Sequence, residues 1–162
     1  MFEKHLFVPS KRDYVLGKKF NGCILCAIVE KSPQVEQLVL LRTKLSIITL
    51  NLYPYNVGHL MIFPIRHIED IRKLTEEEEH EILKLTKFSI DVLEKVYSPD
   101  GFNIGWNIGT SSGASISHLH EHVVPRYKNE LGFLDIITKS KIMIETPHQT
   151  LQVLKPYFAQ WK

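Results

Sequence analysis

The most restrictive feature of this chain is the run Ser117-His118-Leu119-His120-Glu121-His122-Val123-Val124-Pro125-Arg126. Three of the chain's 8 histidines fall here, on alternate positions. A period of two is that of a β-strand, whose successive side chains point to opposite faces. Ile116, His118, His120, His122 and Val124 are therefore expected on one face, and Ser117, Leu119, Glu121 and Val123 on the other. Neighbouring rings on such a strand start roughly 6.5–7 Å apart, and the outer pair about 13 Å apart. Two neighbours could share a metal ion; three in a straight line hardly could without a bulge. The plainer alternative is a polar surface strand, which would not need imidazole three times over. A line of rings instead suits a site where one ring attacks and its neighbours orient it.

The remaining pattern mixes α and β. Apolar runs at 35–41 and 45–50, separated by Arg42-Thr43-Lys44, read as a hairpin. Residues 51–59 carry Pro, Asn and Gly and read as a loop. A strand over 60–63 stops at Pro64, and a short helix is expected near 69–73. Thr75-Glu76-Glu77-Glu78 has the form of a capping box, with acidic residues suited to a helix start. Ile82, Leu85, Phe88, Val92, Leu93 and Val96 then recur at steps of three and four, which predicts a helix to about Tyr97. The glutamate run reads as the solvated start of that helix, not as a site.

Residues 102–108 alternate like a strand, and 109–115 form a loop of small residues leading into the histidines. Its N–H groups and hydroxyls can cradle phosphate oxygens, although such a loop by itself is usually a turn. Thr146-Pro147 marks a further helix start, and Pro156 should break or kink that helix. A short apolar run lies at 134–137, and a short helical or extended piece is expected near Tyr14-Val15-Leu16. The predicted fold is α+β: a mostly antiparallel sheet of about five strands with a long helix packed on one face. The chain reads as one domain over 1–162, with an arm (1–21), a core (22–128) and a C-terminal extension (129–162).

Composition removes several classes. The formal net charge is +2 with both signs interspersed, unlike a dedicated nucleic-acid binder. No apolar run is long enough to span a membrane, and the first residues lack a signal-peptide pattern, so the expected location is the cytoplasm. No Gly-x-x-x-x-Gly-Lys occurs, so a P-loop is not the phosphate device. The helix content argues against an all-β cupin that would use His-x-His as metal ligands.

Both cysteines sit in Cys23-Ile24-Leu25-Cys26. The pair could be a redox dithiol, half of a tetrahedral zinc site, or two small buried residues. A disulfide staple does not suit a cytosolic chain.

His-x-His-x-His followed by two apolar residues resembles the histidine triad (HIT) superfamily of nucleotide hydrolases and transferases. Its pattern is His-φ-His-φ-His-φ-φ with φ apolar, and this chain departs from it at Glu121. The likeness extends over nearly the whole chain and implies roles for individual residues. His120, the middle ring, would be the nucleophile, and His122 would hold a phosphate oxygen or the leaving group. Asn51 would take ribose hydroxyls, and Leu52 would line the base pocket. His59, after Gly58, would pack beneath the triad as part of the nucleotide site. Asn107 and Ser115 would contact phosphate.

Some branches also bind a structural zinc through positions matching Cys23, Cys26, His67 and His118. The arm, the Cys-x-x-Cys, residues 101–105 and 123–127 look most like the microbial branch with diadenosine tetraphosphate phosphorylases and hydrolases. That resemblance implies cleavage at the α-phosphate of dinucleoside polyphosphates through a nucleotidyl-histidine, by a homodimer. Magnesium would travel with the substrate, since no carboxylate cluster stands ready to hold it. A Hint-like nucleoside phosphoramidase, or a nucleotide-binding regulatory protein with little turnover, is the alternative.

Overall fold

The computed structural model describes residues 20–128, 130 and 143–161. The expectations for the N-terminal arm before residue 20 and for the run at 134–137 lie outside the described residues. Five strands form one sheet: β1 (Val39–Arg42), β2 (Ser46–Leu50), β3 (Leu60–Pro64), β4 (Gly101–Trp106) and β5 (Glu121–Arg126). Their order is β1-β2-β3-β5-β4, and every pairing is antiparallel. Among the described residues, three α-helices accompany it: α1 (Ile24–Val29), α2 (Glu76–Tyr97) and α3 (Pro147–Phe158). The expected α+β architecture with a long helix on the sheet is therefore what forms.

Helix α2 starts as its capping box dictates. Thr75 Oγ1 accepts from the Glu78 N–H at 3.3 Å, and the Glu78 carboxylate accepts from the Thr75 N–H at 2.9 Å. The same carboxylate receives Arg66 through Nε at 3.2 Å and Nη2 at 2.7 Å. Because Arg66 precedes His67, the start of α2 also fixes the segment that carries that histidine.

The two faces of the sheet bury different partners. Ile48, Leu50, Leu60, Ile62 and Val123 meet Ile82, Leu85, Val92 and Leu93 of α2, with Leu154 and Phe158 of α3. Ile47, Met61 and Phe63, the intervening positions, meet Leu25 and Ile28 of α1 on the other face. Burial on both faces explains why β2 and β3 read as continuous apolar runs rather than alternations. Since Met61 pairs with His122, the catalytic candidates share the α1 face and leave the α2 face to the core.

The structure departs from expectation in four places. Val35 and its neighbours precede β1 rather than belonging to it. Residues 69–73 yield only a 3₁₀ turn, Ile71–Lys73. Pro156 lies inside α3, which continues two residues beyond it to Phe158. Most important, β5 begins at Glu121, so His118 and His120 are not strand residues. Pairing with β3 ends at Glu121 opposite Ile62. Before that point the chain swings toward the turn after β3: Leu119 N–H donates to the Ile68 carbonyl at 2.7 Å, and the His118 ring donates to the Pro64 carbonyl at 2.9 Å.

Candidate active site and metal centre

This swing separates the three rings into two groups. The first gathers His118 with Cys23, Cys26 and His67, whose ligand atoms all lie within 4.8 Å of one another. Cys23 caps α1, which the sequence pattern did not reveal, and its sulfur accepts from the Cys26 N–H at 3.5 Å. His118 donates from Nε2 to the Pro64 carbonyl, so its Nδ1 lone pair faces Cys23 Sγ at 3.5 Å and Cys26 Sγ at 3.6 Å. His67 Nδ1 lies 3.1 Å from Cys26 Sγ, while its Nε2 lies 3.4 Å from the Glu69 carboxylate.

The donor set fits a tetrahedral ion. Bonds of about 2.0 Å to nitrogen and 2.3 Å to sulfur at tetrahedral angles put N and S about 3.5 Å apart. Each histidine offers one nitrogen inward and anchors the other on an oxygen acceptor, the usual support for a metal-bound imidazole. Burial, then the neighbouring Cys23, pushes the Cys26 thiol up to about 11, so binding a cation there would displace a proton.

The second group holds the candidate chemistry. His120 donates from Nδ1 to the His118 carbonyl at 2.8 Å, which fixes its tautomer and leaves the Nε2 lone pair open. His120 and His122 stand edge to face with centroids 4.7 Å apart. His122 Nδ1 lies 2.9 Å from His59 Nε2. The Tyr55 N–H donates to His59 Nδ1 at 3.1 Å, and a backbone amide can only donate. His59 must therefore carry its proton on Nε2 and give it to His122 Nδ1. His122 is left with its proton on Nε2, aimed at the Asn107 amide, whose nitrogen lies 3.3 Å away. That arrangement calls for the amide oxygen as acceptor, and a half-turn of the amide exchanges the two atoms.

Burial holds all these rings neutral. It lowers His59 to about 3, helped by His122 and His120, and lowers His122 to about 4, helped by His120. His118 falls to about 4 and His120 is lowered too, in each case chiefly by burial. A neutral imidazole keeps the lone pair that a nucleophile needs.

Among the other expected residues, Asn107 joins the histidines directly. Asn51 closes a turn with its side-chain oxygen on the Tyr53 N–H at 2.9 Å, and its own N–H donates to the His59 carbonyl at 3.1 Å. Leu52 packs at the margin of the α2-side core, and Ser115 stands exposed after the 3₁₀ turn Thr110–Ser112. Among the described residues, neither contacts the rings. His59 is fully buried beneath His122, with Nδ1 accepting from the Tyr55 N–H and Nε2 against His122 Nδ1. Gly58 makes that placement possible: it lies at φ 82°, and a Cβ would come within 3.0 Å of Leu93.

Two features were missed. Tyr55 stacks on His59 with centroids 4.9 Å apart, and nothing in its loop sequence signals this. Glu121, buried against α2, bonds Thr86 and the Trp106 side chain. Thr86 has one hydroxyl proton, and the Ile82 carbonyl accepts it at 2.8 Å. A protonated Glu121 can then donate to Thr86, in keeping with burial raising its carboxyl above the usual range. Its departure from the apolar pattern was the available signal.

A buried, neutral histidine with one nitrogen pinned and the other open, backed by two more rings on an antiparallel sheet, defines a histidine-dependent site on an α+β scaffold. The HIT domain pattern matches residues 32–129, and the chain belongs to the HIT family. It is 43% identical over 126 residues to the AP-4-A phosphorylase of Mycobacterium tuberculosis, covering 77% of this chain and 65% of that one. It is 33% identical over 99 residues to the asymmetrical bis(5'-nucleosyl)-tetraphosphatase of Schizosaccharomyces pombe, covering 61% of this chain and 54% of that one. The chain thus spans less than two thirds of the length of either relative.

A zinc-bound histidine triad family protein from Mycobacterium smegmatis shares the fold at TM-score 0.69 and 22% identity, over 85% of this chain and 94% of that one. A HIT family protein from Bacillus anthracis does so at TM-score 0.61 and 27% identity, over 66% and 74%.

Proposed function

We propose that this protein transfers a nucleotidyl group from a dinucleoside polyphosphate of the diadenosine tetraphosphate class, through His120. The observation that carries the reading is the pinned tautomer: Nδ1 is committed to the His118 carbonyl and Nε2 is open. Nε2 attacks the α-phosphorus, a P–N bond forms, and the P–O bond to the leaving group breaks with its electron pair going to the leaving oxygen. The His122 Nε2–H, which rests against the Asn107 amide, would pass from that amide to the leaving oxygen. Phosphate or water then attacks the phosphorus, and the electrons of the P–N bond return to Nε2. Asn107 and Ser115 serve the phosphates, Asn51 the ribose and Leu52 the base. The relatives named as a phosphorylase and a tetraphosphatase support both the substrate class and the two acceptors.

Cys23, Cys26, His67 and His118 are proposed to hold a structural zinc, which supplies a fourfold tie and no open position for water. A homodimer is proposed through α2 and the edge strand β4, where Ile104 is exposed and the ladder ends. Light scattering at micromolar concentration tests that assembly. A cytoplasmic site of action, with magnesium arriving on the nucleotide, completes the reading; among the described residues no helix is long and apolar enough to cross a membrane.

The test is incubation with diadenosine tetraphosphate, with and without phosphate. ADP plus ATP signals phosphorolysis, and AMP plus ATP signals hydrolysis. Intact substrate in both arms refutes the reading.

A further inference from the structure

A groove runs from His122 along β4 and β5, and beyond His122 and Asn107 the steps above do not use it. It encloses about 430 Å³, the size of a small-molecule site. Its floor is low: Gly105 pairs with His122 and Asn103 with Val124, and a Cβ added at Gly105 would meet nothing within 4 Å. Tyr55 forms one wall. Tyr55 is 60% exposed, yet its ring is held in place by stacking on His59. Exposed aromatic faces that are already fixed in orientation suit a planar partner.

The far end is closed by Arg126. Its guanidinium donates to Glu130 through Nε at 2.7 Å and Nη2 at 3.0 Å, and to Asn103 Oδ1 through Nη1 at 2.6 Å. The groove's cation is therefore neutralised by a paired carboxylate and is poorly suited to collect phosphate. His122 to Arg126 spans four strand residues, about 13 Å. The groove thus begins at the ring that faces the leaving group and runs toward a polar, charge-balanced end.

We infer that this groove binds the second nucleoside of a dinucleoside polyphosphate, its base stacked on Tyr55 and its sugar or base edge reaching Asn103. The inference rests on the reading of His120 as nucleophile and adds what lies beyond the leaving oxygen. A substrate with one nucleoside and a small leaving group leaves the groove empty. Tyr55 and Asn103 therefore set selectivity for dinucleotides without taking part in bond making.

The test is equilibrium titration of the His120→Ala protein, alone and combined with Tyr55→Ala, Tyr55→Phe or Gly105→Val, using diadenosine tetraphosphate and AMP as ligands. Tyr55→Ala and Gly105→Val should weaken the dinucleotide by roughly tenfold and leave AMP unchanged, and Tyr55→Phe should restore the parental value. Loss shared equally by AMP, or no loss of dinucleotide affinity, overturns the subsite alone. Failure of the parent to bind or cleave either nucleotide overturns the proposed function, and the subsite with it.

Discussion

His118 and His120 sit two residues apart, are both buried, and each gives a ring proton to a backbone carbonyl. They differ in which nitrogen the carbonyl takes. His118 surrenders Nε2 and turns Nδ1 toward two thiols. His120 surrenders Nδ1 and keeps Nε2 open. Burial and depressed basicity are common to both, so neither separates the proposed ligand from the proposed nucleophile. The backbone partner does. The two groups are also in series, because the carbonyl that pins His120 belongs to His118.

The sharpest break of this comparison is His120→Ala. It should lower turnover at least about a thousandfold, because the proposed covalent adduct forms on His120. The metal group should be untouched. Acid-labile nucleotide trapped on the protein in a single turnover reads the first outcome, and metal content by elemental analysis reads the second. An adduct formed by the variant would sink the nucleophile assignment.

The reverse break is Cys26→Ala. Stoichiometric zinc in the parent, lost in this variant, is the expected analysis. Thermal unfolding should fall by about 10 °C. Activity at low temperature should fall less than in His120→Ala. An unchanged melting temperature would remove the group's structural role.

His59→Phe sharpens the comparison within the second group. The phenyl ring still fills the space beneath His122 but cannot fix the His122 tautomer. kcat should fall by roughly 10–100-fold with little change in AMP affinity, as steady-state kinetics and titration would show.

Acid should act on both groups. The folded-state values of His59 and His122, about 3 and about 4, lie below the unfolded value of 6.5. Groups lowered in this way give stability that is complete above the unfolded value and is lost as pH falls through the folded ones. Denaturant midpoints should therefore drop steadily between pH 6.5 and about 4. A flat profile over that range would mean the rings are not held neutral.

The smallest effect is expected at Glu121, which lies between the two catalytic candidates but faces α2. Its carboxyl is raised by burial, so the stability it gives is present at low pH and lost as pH rises through its folded value. Glu121→Gln should raise the denaturant midpoint at alkaline pH and barely alter it in acid.

Legibility followed the range of the interactions. The capping box at Thr75 and the apolar steps of α2 are local, and both were readable. So were the largely apolar runs that carry β2 and β3 and the four residues of the metal group, the last through resemblance. The bend before Glu121 was not, because period two describes a strand equally well whether or not a partner carbonyl diverts the chain. The diverting groups, Pro64 and Ile68, are about fifty residues away in sequence. His59 beneath the triad was expected through resemblance, but the part of Tyr55 was not, since it depends on a backbone N–H and a ring stack that its loop sequence does not signal.

The Cys–His group has a further consequence for the unfolded chain. Cys23 and Cys26 are 3 residues apart and stay near each other when the fold is lost. His67 is 41 residues from Cys26, and His118 is 95 from Cys23. An ion can therefore be held by the thiols alone in the denatured ensemble, and it distinguishes the two states chiefly through the histidines. Gathering ends that far apart costs loop-closure entropy, and a link of such reach is worth about 4–5 kcal/mol in the covalent case. With the proposed ion bound, replacing a cysteine would weaken its hold on native and denatured chains alike, whereas replacing His118 would spare the denatured complex and remove the longer of the two bridges.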